Sequence, residues 1–465
     1  MTATDTNRNQ RLQQLADSPV GRLLWQYSLP AVVGMLVVSL YNVVDRIFIG
    51  QGVGPEAIAG LAVTLPVMNL SAALGVLVGG GAAARISVML GAGDTDSAFR
   101  TLGNALVMSV SIAIAYITVF ALFLDDILMA FGASEATLPY AHEFIVYLLP
   151  GFLLINVTLS FNNIMRASGY PMRAMVTNFI GAGINVALDP IFIFGLDMGI
   201  KGAAIATVIS MIISGIYVMK HFFRTDSTVH FRRGIYGLDR RIVWGIVAIG
   251  AAPSLINAAA SAVNAIINNS LLRYGGDTAV AAAGIFTTLS TLAVMSMSGI
   301  AQGMQPIVGF NYGAGRFSRM KRTYYLAVAS ASAISIISMA VGYLIPDLWA
   351  KAFTTSESLI DTTVNAFHHG FWAFWLVGFQ VISTTFFQSI GKAGKSIFLS
   401  LARQVIFLIP LMLWLPRTMQ LDGIWLAFPL GDLAATLCTL VLILYQWQLF
   451  ARITSGTSPF HPESL

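Results

Sequence analysis

Twelve apolar runs, each long enough to cross a bilayer, leave this chain little room to be anything but a bundle of membrane helices. They lie near residues 24–50, 57–81, 100–123, 140–165, 172–195 and 200–223, and then near 241–272, 279–307, 323–346, 362–390, 395–416 and 423–450. A spanning helix needs about 20 apolar residues. Lipid offers no water to a backbone N–H or C=O, so each run is read as a helix. Charged residues make up 10% of the chain and hydrophobic ones 56%, whereas a soluble domain carries roughly 25% charged residues. A soluble enzyme and a disordered chain are both excluded. The first run is too long for a signal-peptide core and lacks a small-residue cleavage site.

Charge orients the bundle. With the N-terminus placed inside and the spans alternating, inside segments hold 20 of the 26 basic residues. Outside segments hold Lys201, Arg273, Lys351 and Arg417, and Arg46 and Arg403 fall within helices. This bias predicts cytoplasmic N- and C-termini. The outer loops are acidic, with Asp125, Asp126, Glu135, Asp197, Asp347, Glu357 and Asp361. The net charge of +5 suits basic inner loops and gives no reason to expect nucleic acid. Cys438 is the only cysteine and lies in an apolar run, as a small packing residue does.

The chain also repeats. Leu29-Pro30 returns as Ala252-Pro253, and Gly91-Ala92-Gly93 as Gly313-Ala314-Gly315. Gly169 with Arg173 returns as Gly391 with Lys395, and Gly202-Ala203-Ala204-Ile205 as Gly423-Ile424-Trp425-Leu426. The near-constant offset predicts two homologous six-helix halves. Six is even, so the halves share one orientation, an arrangement found in transporters with a site between the repeats. The expected divisions are an N-terminal segment 1–23, a first lobe 24–223, a linker 224–240, a second lobe 241–450 and a tail 451–465.

Ionisable side chains inside a membrane are functional candidates by default. They are few here: Asp45 and Arg46 in the first helix, Asp189 in the fifth, Arg403 in the eleventh and Asp432 in the twelfth. Asp45 and Asp189 each lie about five or six residues from the outer end of an outward-running helix, and Thr207 about six past the outer start of the sixth. All three share one level. Asn185 is four residues before Asp189, on the same helix face. Two carboxylates, a carboxamide and a hydroxyl suit a sodium ion with oxygen ligands and equally suit a proton. The second half lacks these acids: Asn268 stands opposite Asp45, and Ile409 and Pro410 opposite Asp189. Coupling is therefore expected in the first half. Asp432 is expected to satisfy local backbone or to meet Arg403.

The segments Tyr41-Asn42-Val43-Val44-Asp45-Arg46-Ile47-Phe48-Ile49-Gly50 and Asn185 through Asp189-Pro190-Ile191-Phe192-Ile193-Phe194-Gly195 resemble the multidrug and toxic compound extrusion (MATE) family, in its MepA-like bacterial branch. Gly199-Ile200-Lys201-Gly202-Ala203-Ala204 and Gln305-Pro306 to Gly315 fit as well. The likeness spans about residues 20–450. It implies two six-helix bundles forming a V-shaped cleft, in a bacterial inner membrane. It implies export of amphipathic, often cationic drugs against entering H+ or Na+. The family's first-lobe cation site falls on Asp45, Asn185, Asp189 and Thr207, with Asn162 as a fifth member, and its first-helix proline hinge falls on Pro30. Tyr41, Asn42, Phe161, Asn264, Asn268 and Gln305 are candidates for the substrate cleft. One sodium-coupled branch carries acids on helices 7 and 10, where this chain offers Asn264, Asn268, Asn269, His368, His369 and Gln380.

Other signals carry less. Gly394-Lys395-Ser396 ends like a phosphate loop, but Ser389 stands where the first glycine is required, so no use of ATP is expected. Adjacent His368 and His369 face apart on a helix. No nucleophile-and-base set or metal cluster at one depth suggests an enzyme. A monomer that needs no cofactor beyond its coupling ion is expected, working in the lipid bilayer on small molecules. The alternative is a lipid-linked oligosaccharide flippase, whose phosphate cargo calls for arginines where this chain buries mainly acids.

Overall fold

The computed structural model describes residues 3–455 apart from 54 and 136. Among the described residues there are helices and no strands. They are α1 Ala3–Asp17, α2 Val20–Gly52, α3 Pro55–Ala92, α4 Thr95–Ala130, α5 Leu138–Ala167, α6 Pro171–Pro190 and α7 Gly199–Phe222, then α8 Arg240–Gly313, α9 Phe317–Leu344, α10 Pro346–Lys351, α11 Glu357–Gly370, α12 Val377–Ser389, α13 Ala393–Leu401, α14 Ile409–Trp414 and α15 Pro416–Thr454. Among the described residues ten helical runs are long and apolar enough to cross a membrane, and α11 with α12, bent by 55°, supply an eleventh. The 74 residues of α8 would reach about 110 Å as one rod, more than three times the apolar thickness of a bilayer. They break at Gly276, where φ is 64° and ψ is −164°. α8 therefore holds two crossings, and the twelve expected spans are accounted for.

Four of the glycines that mark the repeat close helices. Gly93, Gly169, Gly315 and Gly391 all have positive φ, from 68° to 101°. After each, the next amide bonds back five residues: Asp94 to Met89, Tyr170 to Met165, Arg316 to Asn311 and Lys392 to Phe387, at 2.8–3.1 Å. This is the Schellman closure, in which a residue without Cβ takes the left-handed position and the next N–H satisfies a loose carbonyl. These turns lie at the end of each lobe that carries most of the basic residues, here called the basic end.

Two compact units emerge. Among the described residues, one holds those up to Ser18 together with Val33–Ala258, and the other holds Pro19–Val32 together with those from Ala259. By packing, each unit thus contains the opening segment of the other half's first helix. In the first unit, Gly81 abuts the Ile246 carbonyl and Gly250 abuts the Leu77 carbonyl, so closely that a Cβ at either would overlap that oxygen. The second unit repeats the arrangement, with Gly299 against Val32 and Gly303 against Ser28. Small residues let membrane helices approach backbone to backbone, where dispersion replaces the missing hydrophobic drive.

The linker is folded against the basic end of the first unit. Phe231 packs among Phe161, Phe222, Phe223 and Tyr236. Arg232 pairs with Asp96 at 2.6 Å and lies over the Phe99 ring. The buried Asn104 donates to the Gly237 carbonyl at 3.1 Å and accepts from the Asp239 amide at 2.9 Å. Asp239 accepts from the Arg241 amide at the start of α8 and pairs with Arg100 at 2.8 Å. The Arg241 backbone N–H, helped by Arg100, holds the Asp239 carboxyl below the usual carboxylate range.

Two outcomes are expected. Gly250→Ala lowers the melting temperature in detergent, by about 1–3 kcal/mol of overpacking. Gly183→Ala, where a Cβ meets nothing within 4 Å, leaves it unchanged or raises it, through a stabilisation of about 0.5–1 kcal/mol. The Asp239 contribution is present above the unfolded carboxylate value of about 4 and is lost as pH falls through its depressed folded value. Pepsin should therefore nick the wild-type linker faster as pH drops below about 4, and Asp239→Asn should flatten that dependence.

Candidate cation site

Lengthwise packing of α2 on α6 sets up the site. At one end a Cβ on Gly34 would meet the Asn178 amide, and at the other Gly52 lies on Ile193 and Phe194. The Phe48 and Phe194 rings meet edge to face at 6.2 Å. Pro190 offers no N–H to the turn before it, and the chain widens into a π turn at Ile191–Gly195. The start of α7 rests on that turn, with Gly202 against the Phe192 carbonyl. Three helices are thereby held together around Asp189.

Asp189 is 0% exposed, Asn185 1% and Thr207 8%. The Thr207 hydroxyl donates to the Ala203 carbonyl at 2.9 Å, so toward Asn185 it accepts. The Asn185 amide donates to Thr207 Oγ1 at 3.2 Å and to Asp189 Oδ1 at 3.3 Å. The Asp45 carboxyl stands within hydrogen-bonding reach of the Asp189 carboxyl. No amide, hydroxyl or basic group of the protein reaches Asn185 Oδ1 or Asp189 Oδ2. Buried acceptors are normally satisfied, and a hard cation is what this all-oxygen set suits. Among the described residues there is no group of three or more His, Cys, Asp or Glu side chains that could hold a metal ion.

Tyr41, one turn before Asp45, is half-buried and close enough to feel both carboxylates. It belongs to this cluster as well as to the cleft list, and its i, i+4 spacing from Asp45 is the sequence signal that could have placed it there. Asn42 is exposed and gives its amide to the Val38 carbonyl at 2.8 Å.

Two expected residues lie elsewhere. Asn162 donates to the Ala174 carbonyl at 2.9 Å and accepts from Arg166 at 3.0 Å. Ala174 is near the start of α6, about 22 Å of helix rise from Asp189. Asn162 therefore braces a buried arginine near the basic end and is no member of the cation cluster. Phe161 is 0% exposed, ringed by Phe222 and Phe231 at 5.1 and 5.7 Å. It packs the linker and lines no cleft.

In the second unit, Asn264 and Asn268 are exposed, and Gln305 is buried with an Nε2 that has no partner. Pro30 is buried within α2, two residues before the chain passes from one unit to the other. Arg403 and Asp432 form an ion pair at 2.7 Å.

Asn162→Ala should lower stability by about 1–3 kcal/mol, since it strips a partner from buried Arg166. It should leave the ion dependence of the protein unchanged, as measured by melting temperature against pH and against sodium concentration. A shifted ion dependence would return Asn162 to the site.

Similar proteins share this frame. The MatE family model matches twice, over residues 30–191 and 253–414, and the matches start at Pro30 and Pro253, the prolines that mark the repeat. The multidrug export protein MepA of Staphylococcus aureus (strain NCTC 8325 / PS 47) is 25% identical over 454 residues, covering 97% of this chain and 99% of MepA. MepA of Staphylococcus haemolyticus is 25% identical over 450 residues, with 96% and 98% covered. Among solved structures, an outward-facing multidrug resistance MATE family transporter of the MOP superfamily superposes with a TM-score of 0.88 at 25% identity, covering 94% and 98%. A MOP superfamily transporter from Pyrococcus furiosus, described as having a binding pocket of reverse polarity, gives 0.87 at 25% identity, covering 95% and 98%. With both halves of the chain matched and the fold shared along nearly all of it, the chain belongs to the MatE family.

Proposed function

We propose that the protein is a multi-pass exporter of amphipathic cationic small molecules, exchanged for H+ or Na+ entering through the cluster of Asp45, Asn185, Asp189 and Thr207. The observation that carries this reading is the buried Asp189 carboxyl beside the half-buried Asp45 carboxyl, with Asp189 Oδ2 and Asn185 Oδ1 reached by no amide, hydroxyl or basic group of the protein. The names of the staphylococcal relatives, multidrug export proteins, support the cargo class. The basic end is assigned to the cytoplasm, with both termini, by the excess of Lys and Arg there.

The mechanism follows from charge. Two ionised carboxylates at hydrogen-bonding range repel strongly away from water. A hydrogen bond between them requires one proton, because an ionised carboxylate only accepts. A proton or a sodium ion each supply the missing positive charge. Asn185 holds Asp189 and Thr207 in register, so the entering cation finds its oxygens already placed. A cation bound more tightly in one conformation shifts the balance toward that conformation by its difference in affinity. A cationic drug and the coupling cation then compete for the same negative charge, which makes their binding mutually exclusive. The ion gradient supplies the drive, and neither ATP nor a partner subunit enters the scheme.

The test is transport of a fluorescent cationic dye in proteoliposomes, under an imposed pH gradient and then a sodium gradient. Wild type is expected to move dye with one gradient, which names the ion, and Asp189→Asn to fall to background under both. Full gradient-driven transport by Asp189→Asn would remove the cluster from the coupling step.

A further inference from the structure

The second lobe carries its own charged cluster, and the exchange mechanism makes no use of it. Asp432 on α15 is 6% exposed. Arg403 donates to its Oδ1 through Nε at 2.7 Å. Gln380 on α12 donates to the Asp432 carbonyl at 2.6 Å and to Thr436 Oγ1 at 2.5 Å. Arg403 follows the start of α13 by ten residues, and Gln380 precedes the end of α12 by nine. Both therefore stand about 14–15 Å from the basic end, near the middle of a core roughly 30 Å thick. At the matching places in the first half the chain has Thr158, Gly181 and Met211. The ion pair is thus no part of the repeated scaffold.

Three features point to a ligand. First, the pair is side-on. Asp432 takes only Nε, and no acceptor among the described residues bonds the guanidinium's terminal nitrogens. That free fork is the geometry that grips a planar carboxylate with two parallel bonds. Second, the Gln380 side chain is 4% exposed, yet its Oε1 has no donor. That oxygen asks for an N–H group from outside the protein. Third, Arg403 and Gln404 lie on a π-helical stretch, Ala402–Leu408. Such widened turns recur at functional sites. The Arg403 side chain is 27% exposed against 9% for the Asp432 side chain alone, and an arginine at this depth faces water or protein rather than lipid. A ligand therefore approaches from the arginine side.

Charge then decides its class. Asp432 already neutralises Arg403, so a lone cation gains little there. A lone anion would leave the cluster with a net negative charge in a poorly solvated place. A zwitterion keeps the sum at zero. We propose that Arg403, Asp432 and Gln380 form a second-lobe binding site for molecules that carry both a carboxylate and a protonated amine. The carboxylate lies on the open fork of Arg403, and the amine donates to the Gln380 oxygen. The assignment rests on the export reading for its cargo but not for its binding test.

The test uses a matched pair of dyes: a carboxyl-bearing rhodamine with unsubstituted amino groups, and its methyl ester, which keeps the amines and lacks the anion. Binding to the purified full-length protein is read by fluorescence anisotropy. Arg403→Gln alone would strand a buried Asp432, so it is combined with Asp432→Asn, which removes both charges of the pair. The double variant is expected to bind the carboxyl dye about tenfold or more weakly, the size of a lost bidentate pair, and the ester within about twofold of wild type. Asp432→Asn alone, with the arginine kept, should retain the carboxyl dye. Equal weakening for both dyes, no weakening for either, or no binding of the carboxyl dye by wild type would each overturn the site. If the double variant does not fold, Arg403→Lys gives the same contrast: it keeps the charge and loses the fork, and should selectively weaken the carboxyl dye. Transport of the ester by wild type under an ion gradient is scored separately. Its failure counts against the export reading and leaves the binding result standing.

Discussion

In hydrocarbon a polar group has no water to fall back on, and that scarcity organises this molecule. It makes every crossing a helix. It also leaves few places where a side chain can carry charge, and each such place is built. Asp189 needs Asn185 and Thr207 to hold it, which needs α7 seated on the π turn after Pro190, which needs Gly202 to let the two backbones close. Remove the glycine and the hydroxyl moves; move the hydroxyl and the carboxamide turns. The cation cluster is the visible end of a packing problem solved several residues away.

The two lobes answer the same constraint differently. Both close their helices with Schellman glycines at matching positions and both seat a foreign helix segment on small residues. On that common scaffold the first lobe buries one acid, Asp189, with an unfilled oxygen, and the second holds a neutral pair with an unfilled fork. Each lobe places a π turn beside its charge, where the loosened ladder lets a side chain be aimed away from its ordinary helical direction.

Much of this was legible in the residues. Apolar run length gives the twelve crossings, because lipid thickness is a fixed ruler. The repeat is visible because a helix-closing position at positive φ favours glycine over any side chain with a Cβ, so Gly93 and Gly315, or Gly169 and Gly391, stand as landmarks. Depth counting along helices brought Asp45, Asp189 and Thr207 to one level, since rise per residue is constant. Asn162 entered by family likeness rather than by depth, and its bond to the Ala174 carbonyl sets it about 22 Å of helix rise from Asp189. Phe161 and the linker were opaque for another reason: a polar loop of this length reads as a tether, and its docking depends on Phe231 and Asn104 meeting partners more than 60 residues away. Packing across such separations leaves no local pattern. The exchange of Pro19–Val32 and the start of α8 between units was hidden too, because nothing in a single helix says whose core it joins.

That exchange bears on how the chain is made. A ribosome delivers the first six spans well before the seventh. Until the start of α8 emerges, the groove along Gly81 that will receive Ile246 stands open in the membrane, and Gly299 and Gly303, which seat Val32 and Ser28 of α2, are made later still. Neither half is a finished object by itself. Cutting the gene at the linker, the obvious seam between repeats, would therefore yield two polypeptides that each lack a piece of their own core, and they would recover it only by finding each other in the bilayer.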